Sequence, residues 1–287
     1  MTLFRRWLVP YLVTGAVLLV IVWAFAYRSV SVEREQTVAQ SAGQAQRLAK
    51  FFEQNVLEIF RYSDTYLAMA RRVYLKNGSV DAVATFMADI PLNQAIVSHI
   101  TVMDKTGKPL FISGHKIKPG TTAKDRTYFK FQAETPGDQP YISLPRKGRN
   151  TGKLTVRLVR RINNPDGSFH GVIFAAIDVA NITKLSAAMS LGSKSSATLV
   201  GTDKRIRARS SYGRVGPGQD ISGSRIWREL AQRPVGLYQQ RSVVDNVTRF
   251  YAYRLLSEFP LIVAIGVATE DISTAVSAYE IPTYAIA

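Results

Sequence analysis

Residues 154–178 read LTVRLVRRINNPDGSFHGVIFAAID. Residues 154–162 alternate with the two-residue period of a half-buried strand. Residues 163–167 (NNPDG) bring together the Asn, Pro, Asp and Gly that a tight turn requires. Residues 170–178 form a second strand with an apolar centre. The segment is a long β-hairpin, and the rest of the chain is read outward from it.

Upstream, residues 146–153 (RKGRNTGK) make a polar, Gly-punctuated hairpin turn, and 141–144 a short strand. Residues 121–130 read as a turn and short helix. Residues 98–104 (SHITVMD), the turn 105–108 and residues 110–113 read as a strand pair. Downstream, 182–189 returns to helix and the scheme restarts. Residues 196–200 and 206–210 pair across the turn 201–204, 226–230 is a short helix, and 237–244, 248–255 and 261–267 are strands. A five-strand layout with a helical lead-in thus occurs twice, at 98–178 and 196–267, as a repeat of elements rather than of residues. Residues 270–279 are helix-like, with a short apolar tail at 281–287.

The N-terminal third is different. Residues 7–27 (WLVPYLVTGAVLLVIVWAFAY) carry no charged group and, at 1.5 Å per residue, span a ~30 Å hydrocarbon core. Arg5 and Arg6 precede them, which orients residues 1–6 to the cytoplasm and everything after Arg28 to the outside. A cleaved signal peptide would need a shorter apolar run and a small-x-small site, and Phe25-Ala26-Tyr27-Arg28 is a poor one. Residues 28–76 contain no Pro, and Ala45, Leu48, Phe52, Ile59, Tyr62, Tyr66, Met69 and Val73 follow heptad spacing. This is a long stalk helix, packed on its own domain or paired with a second copy. Asn77-Gly78 ends it, and Ser79 caps a short helix after it.

Of 287 residues, 46% are hydrophobic and 20% charged, so the chain buries a core and is not disordered. With no cysteine, disulfides, thiolate metal sites and cysteine nucleophiles are excluded. The formal net charge of +16 invites a nucleic-acid reading, which the extracytoplasmic placement argues against. His99, His115 and His170 have no metal-ligand spacing. Residues 148–153 fall one short of a Walker loop, and Leu154 stands where its hydroxyl residue would be. No G-x-S-x-G elbow or dinucleotide fingerprint occurs, so no enzyme, cofactor or metal is expected. Bases concentrate between 100 and 210. Most suit a solvated face, while a few arginines are suited to gripping a carboxylate or phosphate.

Several segments resemble the double Cache, tandem PAS-like sensor domain of bacterial membrane receptors, in the variant carried by diguanylate cyclases and histidine kinases. Asp125-Arg126-Thr127-Tyr128-Phe129 resembles the segment lining that family's membrane-distal pocket. Tyr141-Ile142-Ser143-Leu144-Pro145, the 148–152 turn and the 160–178 hairpin are similar to the strands that follow it. Tyr251-Ala252-Tyr253-Arg254 and 259–267 resemble the end of the membrane-proximal sheet. The likeness implies an α+β fold: a transmembrane helix (7–27), a stalk helix (28–76), and two PAS-like modules (77–181 and 182–280) with mixed, mainly antiparallel sheets. It also implies a signalling mechanism, in which a ligand closes the distal pocket and shifts the stalk against a final helix.

By the same resemblance Arg126 pairs with a ligand carboxylate, and Tyr128 and Phe129 wall the pocket. Tyr141 contributes to it, and Asp178 accepts from a ligand amine or orients Arg126. The plainer alternative is an Asp125–Arg126 or Arg126–Asp178 ion pair with core aromatics. Amino-acid-binding members carry Trp where Tyr128 stands and an acid where this chain has Arg146. An organic acid or other anion without an amine therefore suits Arg146 and its neighbours better. The expected partners are that small ligand, the membrane, a second copy through the stalk and a separate output protein, with no nucleic acid. The rival classes are an anchored interaction protein with no ligand, and a basic binder of anionic polymers.

Overall fold

The computed structural model describes residues 2–187, 189, 192–211 and 218–270, and among these the side chains of 2–15, 26, 29–38, 186–187 and 211 are not described. The helix expected at 270–279, apart from its first residue, and the tail at 281–287 lie outside the described residues. Helix α1 runs without a break over Thr2–Asn77. It ends where Gly78 adopts a φ of +65° and its N–H bonds the Tyr74 carbonyl at 2.8 Å. Ser79 then caps α2 (Val80–Asp89), accepting from the Asp81 N–H at 3.1 Å.

From Ala45 onward one stripe of α1 is buried: Ala45, Ala49, Phe52, Val56, Phe60, Ser63, Leu67, Ala70 and Tyr74. The spacing of three and four residues keeps these on one face. The heptad read from the sequence overlaps it but is displaced, since Met69 is 46% exposed and Leu67 and Ala70 take the inward places. Both readings satisfy the spacing, and only the packed sheets choose between them. No helix among the described residues is long and apolar enough to cross a membrane. The span expected at 7–27 falls partly on side chains outside the described set.

Two sheets lie along this stripe. The first contains β1 (His99–Asp104), β2 (Pro109–Ile112), β3 (Tyr141–Ile142), β4 (Arg146–Lys147), β5 (Leu154–Asn163) and β6 (Phe169–Asp178). Its order is β2-β1-β6-β5-β3, with β4 also on β5. The second contains β7 (Ser196–Gly201), β8 (Ile206–Ser211), β9 (Val235–Arg241), β10 (Thr248–Leu255) and β11 (Leu261–Ala268), in the order β8-β7-β11-β10-β9. Each sheet is a hairpin joined by a crossover to the strands beside it, so the repeat seen in the sequence is one of topology. Every pairing is antiparallel. The mixed sheets expected from the sequence are therefore corrected, because most neighbouring strands are joined by short turns that reverse the chain. Helix α3 (Thr127–Glu134) covers the first sheet, α5 (Ile226–Leu230) the second, and α4 (Val179–Ala187) links them. In the 201–204 turn Lys204 adopts a φ of +66°, taking the position that a glycine fills more readily.

Alternation divides each sheet between two cores. Ile173, Ala175 and Ile177 of β6 join α1 in one cluster, which continues through Leu199, Val263 and Ile265 of the second sheet. Val172, Phe174 and Ala176 face the other way, with Tyr128 and Phe129 of α3. A fully buried Ile, Val or Phe contributes roughly 1.5–3 kcal/mol, so the continuous α1 core ties the sheets to one stalk. Ion pairs fix its register. Glu53 meets Arg254 at 2.5 Å, Arg61 meets Glu258, Asp64 meets Arg160 at 2.6 Å, and Arg71 meets Asp138 at 2.5 Å.

Candidate functional site

Beneath α3, the face of the first sheet turned away from α1 leaves two adjoining clefts. One is lined by His99, Thr101, Arg149, Thr151 and Phe174, among others. The other is lined by Asp125, Tyr141, Ser143, Leu144 and Arg146. Arg126, Tyr128 and Arg157 line both and mark where they meet.

The surroundings place these groups. Arg161 of β5 donates to the Gln132 carbonyl and to that of Ala133 at 3.1 Å, setting a cation at the C-terminus of α3. Gln132 Nε2 donates to the Val159 carbonyl at 3.1 Å. With α3 held by its end, Arg126 and Tyr128 at its start face the sheet. The 148–153 turn folds back over the mouth. Arg149 grips both Asp125 oxygens, at 2.7 and 2.6 Å, and Asn150 donates to the Lys116 carbonyl at 2.6 Å. A Cβ at Gly148 would come within 2.6 Å of Thr151 Oγ1, so a larger residue there would displace that hydroxyl. The Arg149 guanidinium holds the Asp125 carboxyl down at about 2.

The floor of the site is Arg157, at an inward position of β5. It is 5% exposed and has no acidic partner among the described residues. Its guanidinium lies 5.7 Å from the ring centres of both Tyr128 and Phe174. Burial lowers its pKa, the Tyr128 hydroxyl opposes this, and Arg126 and Arg146 lower it further. Beside it Thr101, 1% exposed, and Thr151 have buried hydroxyl oxygens without a hydrogen-bond partner. An uncompensated buried guanidinium and orphaned hydroxyls are costly without a partner, and all three groups lie at these clefts.

Four of the expected residues, Arg126, Tyr128, Tyr141 and Arg146, come together at these clefts. Two do not. Phe129 points into the core and packs edge-on against Phe169, with ring centres 5.5 Å apart. Asp178 Oδ1 accepts from the Ala180 N–H at 2.9 Å, at the start of α4. Neither ion pair of the plainer alternative forms, since Asp125 pairs with Arg149 and no bridge joins Arg126 to Asp178. Sequence reading passed over Arg157, Thr101 and His99 as site residues. The available signal was parity, since Arg157 shares the inward face of its strand with Val159.

The second sheet carries a matching cleft lined by Arg209, Gln240, Tyr238 and Tyr251, among others. There the inward arginine is neutralised. Arg209 meets Asp245 at 3.0 Å, and Gln240 accepts from the Arg225 N–H at 2.9 Å. The two sheets thus differ in how their cleft arginines are compensated.

His99 supplies a pH test. Its ring is buried beside His115, with centres 5.5 Å apart, and burial, then His115, Arg157 and Lys153, lower its pKa to about 4. The folded protein therefore favours neutral His99, whereas the unfolded chain binds the proton near pH 6.5. Its stabilising contribution is complete above pH 6.5 and lost as pH falls towards 4, amounting to about 3 kcal/mol. Urea unfolding at pH 7.5 and 4.5 should show a smaller loss for His99→Gln than for the parent protein. Equal losses would assign the acid sensitivity elsewhere.

The dCache_1 family model, described as a Cache domain, matches residues 33–276. Among solved structures, the chain is similar to an extracellular domain assigned to a histidine kinase, rpHK1S-Z16. The TM-score is 0.69 at 22% identity, over 80% of this chain and 95% of that one. It is also similar to the ligand-binding domain of the Pseudomonas fluorescens chemoreceptor CtaA in complex with L-alanine, with a TM-score of 0.58, 15% identity and coverage of 79% and 96%. The ligand-binding domain of the Pseudomonas aeruginosa PAO1 amino acid chemoreceptor PctB, in complex with L-Arg, gives 0.58 and 14%, covering 78% and 94%. No curated protein matches the chain.

Proposed function

Because this chain belongs to the Cache-domain family, we propose that it is the extracytoplasmic sensor part of a membrane receptor, binding a small carboxylate-bearing anion beneath α3. The observation that carries this reading is Arg157, a buried guanidinium facing the clefts with no acid beside it. Arg126 is the second cation for the carboxylate, Tyr128 the wall and Tyr141 the outer contact. The solved amino-acid complexes concern other proteins, and the cation-rich lining here suits a ligand without an ammonium group.

In this reading residues 7–27 anchor the chain, 28–76 form the stalk, and 77–181 and 182–280 are the distal and proximal modules. The exposed apolar side chains from Val17 to Phe25 support the anchor. Stalks of two copies pair, and an output protein or domain reads their movement. Strand β5 supplies a route, because Arg157 faces the ligand on one side and Arg160 holds Asp64 of the stalk on the other. The mouth is closed by the Asp125–Arg149 pair, both partners well exposed. Such a pair is worth little, so it opens readily. A ligand shifts the stalk only by as much as it prefers one arrangement over another.

The test is a thermal-shift screen of the full chain in detergent against organic acids and amino acids. An organic acid should raise the melting temperature, and Arg126→Ala should weaken its binding about tenfold, the worth of one charge-assisted contact. Unchanged binding in that variant would remove Arg126 from the site. No stabilisation by any compound would support the anchored protein without a ligand.

A further inference from the structure

The two clefts meet at Arg126, Tyr128 and Arg157 but differ in chemistry. The inner one adds the orphaned hydroxyls of Thr101 and Thr151 and has no carboxylate among the residues lining it. The outer one has Arg146 and Asp125. Across both, four guanidiniums line the walls against that one carboxylate, and Asp125 is held through both oxygens by Arg149. Arg126, Arg146 and Arg157 are left without an acid among the described residues. Arg126 and Arg157 stand at the junction, and Arg146 lines the outer cleft alone.

A single carboxylate in the inner chamber meets Arg157 and leaves Arg146 facing an empty outer one. A zwitterionic amino acid brings an ammonium group into a space whose only carboxylate is already engaged. A compact dianion such as phosphate puts both charges at one end. We infer that the ligand is an organic dianion with two carboxylates on a short chain, one seated on Arg157 with Thr101 and Thr151, the other on Arg146, and Arg126 between them. This rests on the anion-binding reading above. The planar fork of each arginine matches a carboxylate edge, so the two ends are recognised independently.

The experiment is isothermal titration of the full chain in detergent with malonate, succinate and glutarate. Propanoate, butanoate, L-alanine and inorganic phosphate are titrated alongside. One dicarboxylate should bind at least about tenfold more tightly than the monocarboxylates, the worth of one additional charge-assisted contact. Arg146→Ala, at an exposed position that tolerates truncation, should remove most of that advantage. It should weaken monocarboxylate binding much less, because Arg146 lines the outer cleft alone. Thr101→Val should weaken both classes.

Equal affinity for mono- and dicarboxylates, lost in an Arg157 variant, would overturn the dianion and leave the anion site standing. So would phosphate binding as tightly as the best dicarboxylate. L-Alanine binding more tightly than every dicarboxylate, or no binding by any anion, would overturn both.

Discussion

Asp245→Ala is expected to destabilise the protein by about 3–5 kcal/mol, the cost of breaking a buried ion pair from one side. Asp245 is the shared acid of two buried arginines. Its oxygens take Arg249 at 2.7 and 2.9 Å and Arg209 at 3.0 Å. The Arg249 side chain is 0% exposed, that of Arg209 4% and that of Asp245 12%. Burial alone would raise the Asp245 pKa. Hydrogen bonds from Arg249 and Ser242, with the charges of Arg209 and Arg249, instead hold it well below the usual carboxylate range. The contribution is thus present throughout neutral and mildly acid pH and lost only in strong acid. Removing the carboxylate leaves two guanidiniums inside the second sheet. Arg249 keeps only its bond to the Lys194 carbonyl, at 2.7 Å, and a long contact to the Tyr251 hydroxyl. Asp245→Asn retains acceptor oxygen without charge and should fall between parent and alanine. Urea unfolding followed by circular dichroism measures the difference. A loss below about 1 kcal/mol for Asp245→Ala would show that water or rearrangement serves the arginines equally well.

Arg157→Met should act in the opposite direction on stability and still abolish function. In the free protein Arg157 bears the cost of burial and the repulsion of Arg126 and Arg146, with only two aromatic faces in return. Contacts of that kind are worth about 0.5–1 kcal/mol when exposed and about 2 kcal/mol when desolvated, so they offset the cost of the buried charge only in part. Replacing buried charge with an apolar chain of similar length is often stabilising by about 1–4 kcal/mol. The free variant should therefore melt several degrees higher than the parent. Its response to the organic acid that stabilises the parent should disappear, a loss of roughly 2–5 kcal/mol in binding. Arg157→Lys keeps the charge without the planar fork and should recover binding only in part. Thermal melts with and without that acid read both effects. A variant less stable than the parent that still responds to the acid would show that Arg157 is a structural cation rather than the ligand's seat.

These two arginines also show where sequence reading stops. Alternation placed Arg157 and Arg249 in strands, and on that ground alone both are simply inward cations. One has its acid four residues before it, at Asp245, and the other has none among the described residues. Whether a buried charge is satisfied depends on what the fold brings beside it. Asp178 and Phe129 make the same point. Their segments match the family pattern, yet one caps α4 and the other fills the core beneath α3.

The order of elements was determined by local chemistry: the two-residue period of residues 154–178, the NNPDG turn and the three-four spacing along the stalk. Each is a property of neighbours in the chain, so no tertiary contact was needed to read it, and the repeated layout followed. The tertiary structure decided which of two overlapping heptad stripes faces inward, that every pairing is antiparallel, and which arginines remain without an acid. The physical reason is the same in each case. Burial and charge compensation are set by groups far apart in sequence, and their balance exists only once two sheets have closed on one helix.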